Sequence, residues 1–239
     1  MKMEQWLTVL FKTPGLFKCS ALFSWIVVSL FLSESVVIAG EVNTSKVIVH
    51  TVPFESGEFL TGVTDATLSK YGFEEANNSD LSTESDLDNY SDINIANATS
   101  AQVVILQKSY GSDGKNKAKV SVSGAGNRVL AAQLGGRNEA YIAQEGNNNT
   151  AIVGQVGWDL SSESVAVVIQ EGDDNEAYIG QKRYRSASSN VSVNQIGNRN
   201  IAAVVAGSGA DLGISQVGNG SELIINASGS MGIYVNQTN

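Results

Sequence analysis

From about residue 101 to its C-terminus the chain restates one phrase, Asn-x-Ala-x-Ile-x-Gln-x-Gly. The cleanest copies are NEAYIAQEG (Asn138–Gly146) and NTAIVGQVG (Asn149–Gly157); VAVVIQEG ends at Gly172 and NEAYIGQ spans Asn175–Gln181. A short strand-like phrase repeated in series cannot bury its apolar face one copy at a time, so the copies have to stack. Aligned on the Gln position, the phrase predicts twelve strands: Ala101–Gln107, Asn116–Val122, Asn127–Gln133, Asn138–Gln144, Asn149–Gln155, Ser164–Gln170, Asn175–Gln181, Ser189–Gln195, Asn200–Ala206, Ala210–Gln216, Ser221–Ala227 and Met231–Gln237. Most registers advance by 10 or 11 residues. Three longer steps, around Gly111–Lys115, Trp158–Glu163 and Lys182–Ser188, read as loops from their Gly, Ser and charged content.

Parity assigns the faces. Asn138, Ala140, Ile142 and Gln144 point one way and Glu139, Tyr141, Ala143 and Glu145 the other. The first set is the recurring one, small, aliphatic and amide, as expected of an interior held constant by stacking. The Gly-x-x-Asn joints (Gly135–Asn138, Gly146–Asn149, Gly172–Asn175, Gly197–Asn200) supply residues that tolerate positive φ in a tight reversal. Stacked at about 4.8 Å, each Gln lies over the next, so a buried amide finds its partners in identical amides above and below. The fold expected is all-β: a β-solenoid of about six two-strand turns, ~25–30 Å tall at the strand spacing, with in-register Gln/Asn and aliphatic ladders over 101–239. The ladder residues are Gln107, Gln133, Asn138, Gln144, Asn149, Gln155, Gln170, Asn175, Gln181, Gln195, Asn200, Gln216 and Gln237. The last strand carries Met231, Ile233, Val235 and Gln237 and has no proline or inward charge to stop pairing, so it is expected to be an open edge.

Outward positions are uneven. On alternate strands they include Val104, Leu106, Leu130, Ile152, Tyr178, Ile201, Val205 and Ile224, a face expected to pack against the leader, a second filament or the cell envelope, or else an ordinary scatter of exposed aliphatics. The other face is mostly polar (Lys117, Lys119, Glu139, Asn190, Ser192, Asp211), with Val165, Val167 and Ile169 as its exception.

Two segments precede the repeats. Residues 1–39 read as an export signal: Lys2, Lys12 and Lys18, then the apolar core Ala21–Leu32, then Val37-Ile38-Ala39 as a small-residue cleavage pattern. The competing reading is an uncleaved membrane anchor, which Glu34 interrupts. Cys19, the single cysteine, lies before the apolar core, so a processed chain has no disulfide available. Residues 40–100 hold 11 acidic and 2 basic residues, which accounts for the whole formal charge of −9. That composition predicts a mostly disordered acidic leader, with Val47–Phe54 as one short strand. The repeats, with 11 acidic and 10 basic residues, have no basic excess to attract nucleic acid.

Enzymatic chemistry finds little to build on. The one histidine, His50, sits in the leader, and no Cys/His metal spacing exists. The acidic run Glu171-Gly-Asp173-Asp174-Asn175-Glu176 reads as a solvated turn rather than a Ca²⁺ site. No cofactor or metal is expected. A secreted β-helix enzyme acting on polysaccharide by paired carboxylates is the rival class, but its coils are usually longer and less regular.

The repeats resemble the curlin repeat of bacterial curli, the cell-surface functional amyloid. That family's phrase, Ser-x5-Gln-x-Gly-x-x-Asn-x5-Gln, is matched by Ser164, Gln170, Gly172, Asn175 and Gln181. The resemblance implies a subunit exported through the periplasm and a dedicated outer-membrane pore with its accessory factors. It implies polymerisation outside the cell, with itself or with a major curlin subunit, into a fimbrium that serves adhesion and biofilm matrix. The copies AYIAQEG and AYIGQ and the ending IYVNQ are more similar to the minor, nucleating subunit than to the major fibre-forming one. Val122, Ala206 and Ala227 stand where the family has Gln, and Lys182-Arg183 follows Gln181 where the Gly step belongs. A non-polymerising solenoid adhesin is the remaining alternative.

Overall fold

The computed structural model describes residues 46–50, 63–77, 89–109, 114–158, 160–184 and 186–239. The expected signal segment lies outside them. The twelve predicted strands are present as β3 (Gln102–Lys108), β4 (Asn116–Ala125), β5 (Arg128–Gly135), β6 (Asn138–Glu145), β7 (Thr150–Gly157), β8 (Ser164–Glu171), β9 (Glu176–Arg183), β10 (Ser189–Ile196), β11 (Ile201–Ala206), β12 (Ala210–Val217), β13 (Glu222–Ala227) and β14 (Met231–Thr238). A further strand, β2 (Asn89–Thr99), precedes them. Consecutive strands alternate between two sheets and pair in parallel with the second strand along. One sheet runs β13-β11-β9-β7-β5-β3; the other runs β14-β12-β10-β8-β6-β4-β2, with β1 (Lys46–His50) added outside β14. The chain is a β-solenoid of about six turns.

The register is set by the phrase. Asn138 pairs with Ser164, Ile142 with Val168 and Gln144 with Gln170; in the other sheet Ala151 pairs with Ala177 and Gln155 with Gln181. Inward aliphatics from both sheets, among them Val120, Ile142, Val153, Val168, Ile179 and Val204, form one continuous core. At about 25 cal/mol per Å² of apolar surface removed from water, stacking neighbours is what makes these short strands stable.

Glycine is required where turns stack. Gly146 has φ +119°, and a Cβ there would lie 2.0 Å from the carbonyl oxygen of Gly172 in the next turn; Gly172 stands in the same relation to Gly197, at 2.1 Å. Two residues on, Arg137, Asn148, Asp174 and Arg199 take φ of 55–57° just before the Asn that opens each strand.

The structure departs from the sequence reading in the leader. The solenoid begins at Asn89, inside the expected 40–100 segment, because β2 pairs in register with β4. Helix α1 (Asp65–Tyr71) is capped by Thr64 and ended by Gly72 in the left-handed conformation, and a 3-10 turn follows at Glu74–Asn77. Phe73, Leu68, Val63 and Ala76 from this segment bury Tyr141, Ala143, Val165, Val167 and Ile169. The leader therefore covers the apolar exception on the polar face. Leu130 and Ile152 on the other face are also buried, packing on one another and on Val104, Leu106 and Tyr178.

Candidate assembly interface

The inward amides form two ladders. In the six-stranded sheet Gln107 donates Nε2–H to Gln133 Oε1, Gln133 to Gln155 and Gln155 to Gln181, each at 2.8 Å. In the longer sheet Gln144 donates to Gln170, Gln170 to Gln195, Gln195 to Gln216 and Gln216 to Gln237, at 2.7–2.9 Å. Each Gln with a Gln after it in its row donates toward the C-terminal end. Its second N–H reaches backbone carbonyls across the interior, as Gln155 does to Glu139 and Ser164. From Gln133 to Gln237 these side chains are at most 2 % exposed, so the amides are buried yet partnered.

The Asn positions form a second pair of rows. Asn149, Asn175 and Asn200 each accept a backbone N–H from the next turn on Oδ1 and donate Nδ2–H to the carbonyl of Gly172, Gly197 or Gly218. Asn138 donates instead to Asn116 Oδ1 at 2.8 Å, and Asn116 to Asn89 Oδ1 at 2.9 Å.

Where the phrase lapses, the ladder stops. Val122 lies beside Gln144, and Gln144 Oε1 is buried without a hydrogen-bond partner. In the same row Ile95 adjoins Val122; in the other sheet Ala206 and Ala227 follow Gln181.

The terminal strands show different surfaces. At the N-terminal end Ile93 and Ile95 are 46 % and 49 % exposed, and Met231 at the other end is 42 % exposed. Among the described residues β2, β3 and β13 have no strand on their outer side. The expectation of an open edge on β14 is corrected: β1 pairs with it antiparallel from Lys46↔Thr238 to His50↔Tyr234. Val235 and Gln237 are thus covered, while Met231 and Ile233 lie beyond the reach of β1. The physical reason is local: Lys46–His50 is a β-branched run, and an unpaired edge offers it a row of hydrogen-bonding groups.

Ion pairs fasten the leader to the outer face. Lys70 Nζ bridges Glu145 (2.7 Å) and Glu171 (2.9 Å), and Tyr71 Oη–H contacts both carboxylates. Lys119 and Lys117 both meet Glu75. The hydrogen bond from Lys70 holds Glu145 below the usual carboxylate range, and the same bond pushes Lys70 above the usual lysine range. Burial alone would raise Glu75, but the bonds and charges of Lys119 and Lys117 outweigh it and leave Glu75 lowered. Burial raises Tyr71.

Two features were missed from sequence. Asn147, Asp173, Asn198 and Asn219 form a ladder at the exposed turns, each accepting the backbone N–H of the preceding turn at 2.7–3.0 Å. The signal was present as an Asn or Asp immediately after Gly146, Gly172, Gly197 and Gly218. Arg183, expected in a loop, is fully buried at the end of β9, donating to Ser164 Oγ, Ser162 Oγ and Gly136 O.

No curated protein and no solved structure matches the chain. Residues 124–157, from the end of β4 through β7, match the family model of the curlin associated repeat, which supports the curlin family for this chain.

Proposed function

We propose that this protein is a structural subunit of an extracellular, curli-type fibre, and that within it the chain acts as the minor subunit that nucleates a major curlin at the cell surface. The observation that carries the reading is the stacked amide ladder, whose terminal rungs leave apolar core and strand edges exposed at both ends. An exposed end of a parallel stack is a template for another chain. Bulk polymerisation favours uniform rungs; the lapses at Ile95, Val122, Ala206 and Ala227 favour a specialised, nucleating role. Export through the periplasm and an outer-membrane curli pore, and service in adhesion and biofilm matrix, belong to this proposal. So does the division into signal 1–39, leader and repeats.

The test is to release the protein from denaturant and follow thioflavin fluorescence, alone and with a major curlin at a hundredfold excess. The expected result is slow fibre formation alone and a shortened lag for the partner. A protein that polymerises as fast alone as a major curlin, without seeding it, fits the major-subunit alternative. One that stays monomeric for days and seeds nothing fits the non-polymerising adhesin.

A further inference from the structure

The two ends of the solenoid are chemically unlike, and each end is itself mixed. At the C-terminal end the amide rows finish on Gln237 in one sheet and Ala227 in the other. At the N-terminal end they begin on Ile95 and Gln107. If a second copy stacked straight, with each sheet continuing into its own counterpart, Gln237 would meet Ile95 and Ala227 would meet Gln107. Rotating the incoming copy by half a turn about the solenoid axis exchanges the sheets but keeps every strand pair parallel. Gln237 then meets Gln107, and Ala227 meets Ile95.

Four further observations agree. The row that opens each strand ends on Met231 and Ser221 and begins on Asn89 and Ala101. Straight stacking sets Met231 on Asn89 and Ser221 on Ala101, whereas the half turn sets apolar on apolar and polar on polar. The hydrogen-bond direction also fits: each Gln that has a Gln after it in its row donates toward the C-terminal end, so Gln237 Nε2 closes one row as a donor and Gln107 Oε1, which takes Ser91 Oγ–H at 2.9 Å, opens the other as an acceptor. The orphaned Gln144 Oε1 beside Val122 shows within the chain what an amide–aliphatic junction does. Finally, with β1 set aside, seven strands lie in one sheet and six in the other, so the winding starts and ends in the same sheet. The next strand of an uninterrupted winding therefore falls on β13, where the half turn puts the incoming β2.

We infer that the partner fitted by these ends is a second copy of this chain, docked head to tail with a half-turn rotation, its β2 on β13 and its β3 on β14. The inference rests on the self-assembly proposed above. Outward positions weigh less, because they keep contact with water in either arrangement. The edge of Tyr234–Thr238 that the incoming β3 takes is held by β1, so β1 leaves as the copies join.

Cysteine pairs on the full chain, with Cys19→Ser, read the arrangement. Asn236→Cys with Leu106→Cys brings thiols onto adjacent strands only in the half-turn stack; Asn236→Cys with Asn94→Cys does so only in the straight one. Neighbouring strands lie about 4.8 Å apart, within disulfide reach. Sedimented fibres are oxidised and resolved on a non-reducing denaturing gel. Covalent oligomers are expected from the first pair in about tenfold or greater excess over the second, the ratio a ~1.4 kcal/mol preference gives. Oligomers from the second pair, in fibres that sediment normally, overturn the half turn and leave self-assembly standing. Protein that remains soluble in both pairs, and also without the cysteines, removes self-assembly and the half turn together. As a second variant, Ile95→Gln with Ala227→Gln gives every terminal rung an amide; it is expected to bring cross-linking by the second pair up to that of the first. No change in that ratio counts against amide matching as the cause.

Discussion

Gln155 illustrates the interior amide. It accepts from Gln133, donates to Gln181 and reaches the carbonyls of Glu139 and Ser164, all with 1 % of its surface exposed. Replacing it by Leu keeps much of the volume but strands Gln181 Oε1 and two backbone acceptors. Gln155→Leu is expected to cost on the order of 2–3 kcal/mol in urea unfolding, because unpartnered buried polar groups bear most of the penalty. Val122→Gln works in the opposite sense by giving Gln144 Oε1 its missing donor, and a gain of about 1 kcal/mol is expected in the same measurement. Gly146→Ala, with φ +119° and the Gly172 carbonyl 2.0 Å from the new Cβ, is expected to destabilise by more than ~1 kcal/mol. All three sites belong to the repeated phrase. The pairing around Gln155 was legible in the sequence, since period two and a constant register leave a buried amide one partner above and one below. The Gln144 vacancy was legible only as a lapse at Val122, since which atom is orphaned depends on the direction in which the ladder donates.

At the scale of elements, the leader is held by apolar contact and by carboxylates whose pKa values the folded state lowers. Phe73 packs on Tyr141 at 5.5 Å between ring centroids, while Glu145 and Glu75 are ionised against Lys70 and against Lys117 and Lys119. A lowered folded-state pKa contributes stability that is present above the ordinary carboxylate pKa and lost as pH falls through the folded value. Protection of residues 63–77 from hydrogen exchange is therefore expected to fall below about pH 4, before that of the solenoid strands. Lys70 is shifted upward, so its contribution persists through neutral pH and disappears only as pH rises past the usual lysine range. Loss of strand protection before helix protection on acidification would count against this account. The sequence marked Val165, Val167 and Ile169 as unusual but assigned their covering element to no place. Only the fold brings Phe73 to them, across a separation that no local pattern encodes.

For the whole molecule, the end surfaces decide behaviour. β1 lies on the edge of β14 that a second copy needs, and it is the single antiparallel partner among otherwise parallel pairings of the described strands. Ile48→Pro with Val49→Pro removes two consecutive backbone donors, one of which faces β14. The expected outcome is a lag before fibre formation shortened several-fold, with unchanged far-ultraviolet β content of the monomer. An unchanged lag would show that β1 does not limit docking.

The sequence by itself determined the period, the inward and outward faces, twelve of the thirteen solenoid strands and the identity of the stacked residues. It could do so because each of these depends on spacing within a few residues and on the rule that like lies over like. It missed β2, whose Ile95 stands in the Gln position just after the acidic run that ends at Asp92, and it left the edge of β14 open. Those points belonged to the tertiary structure: where the leader returns, which face it covers and which edge it occupies are set by contacts between residues up to nearly two hundred positions apart. The same holds for the parity of the winding. One additional strand, hidden from the repeat, makes the count odd and turns the two ends into surfaces that match only after half a rotation.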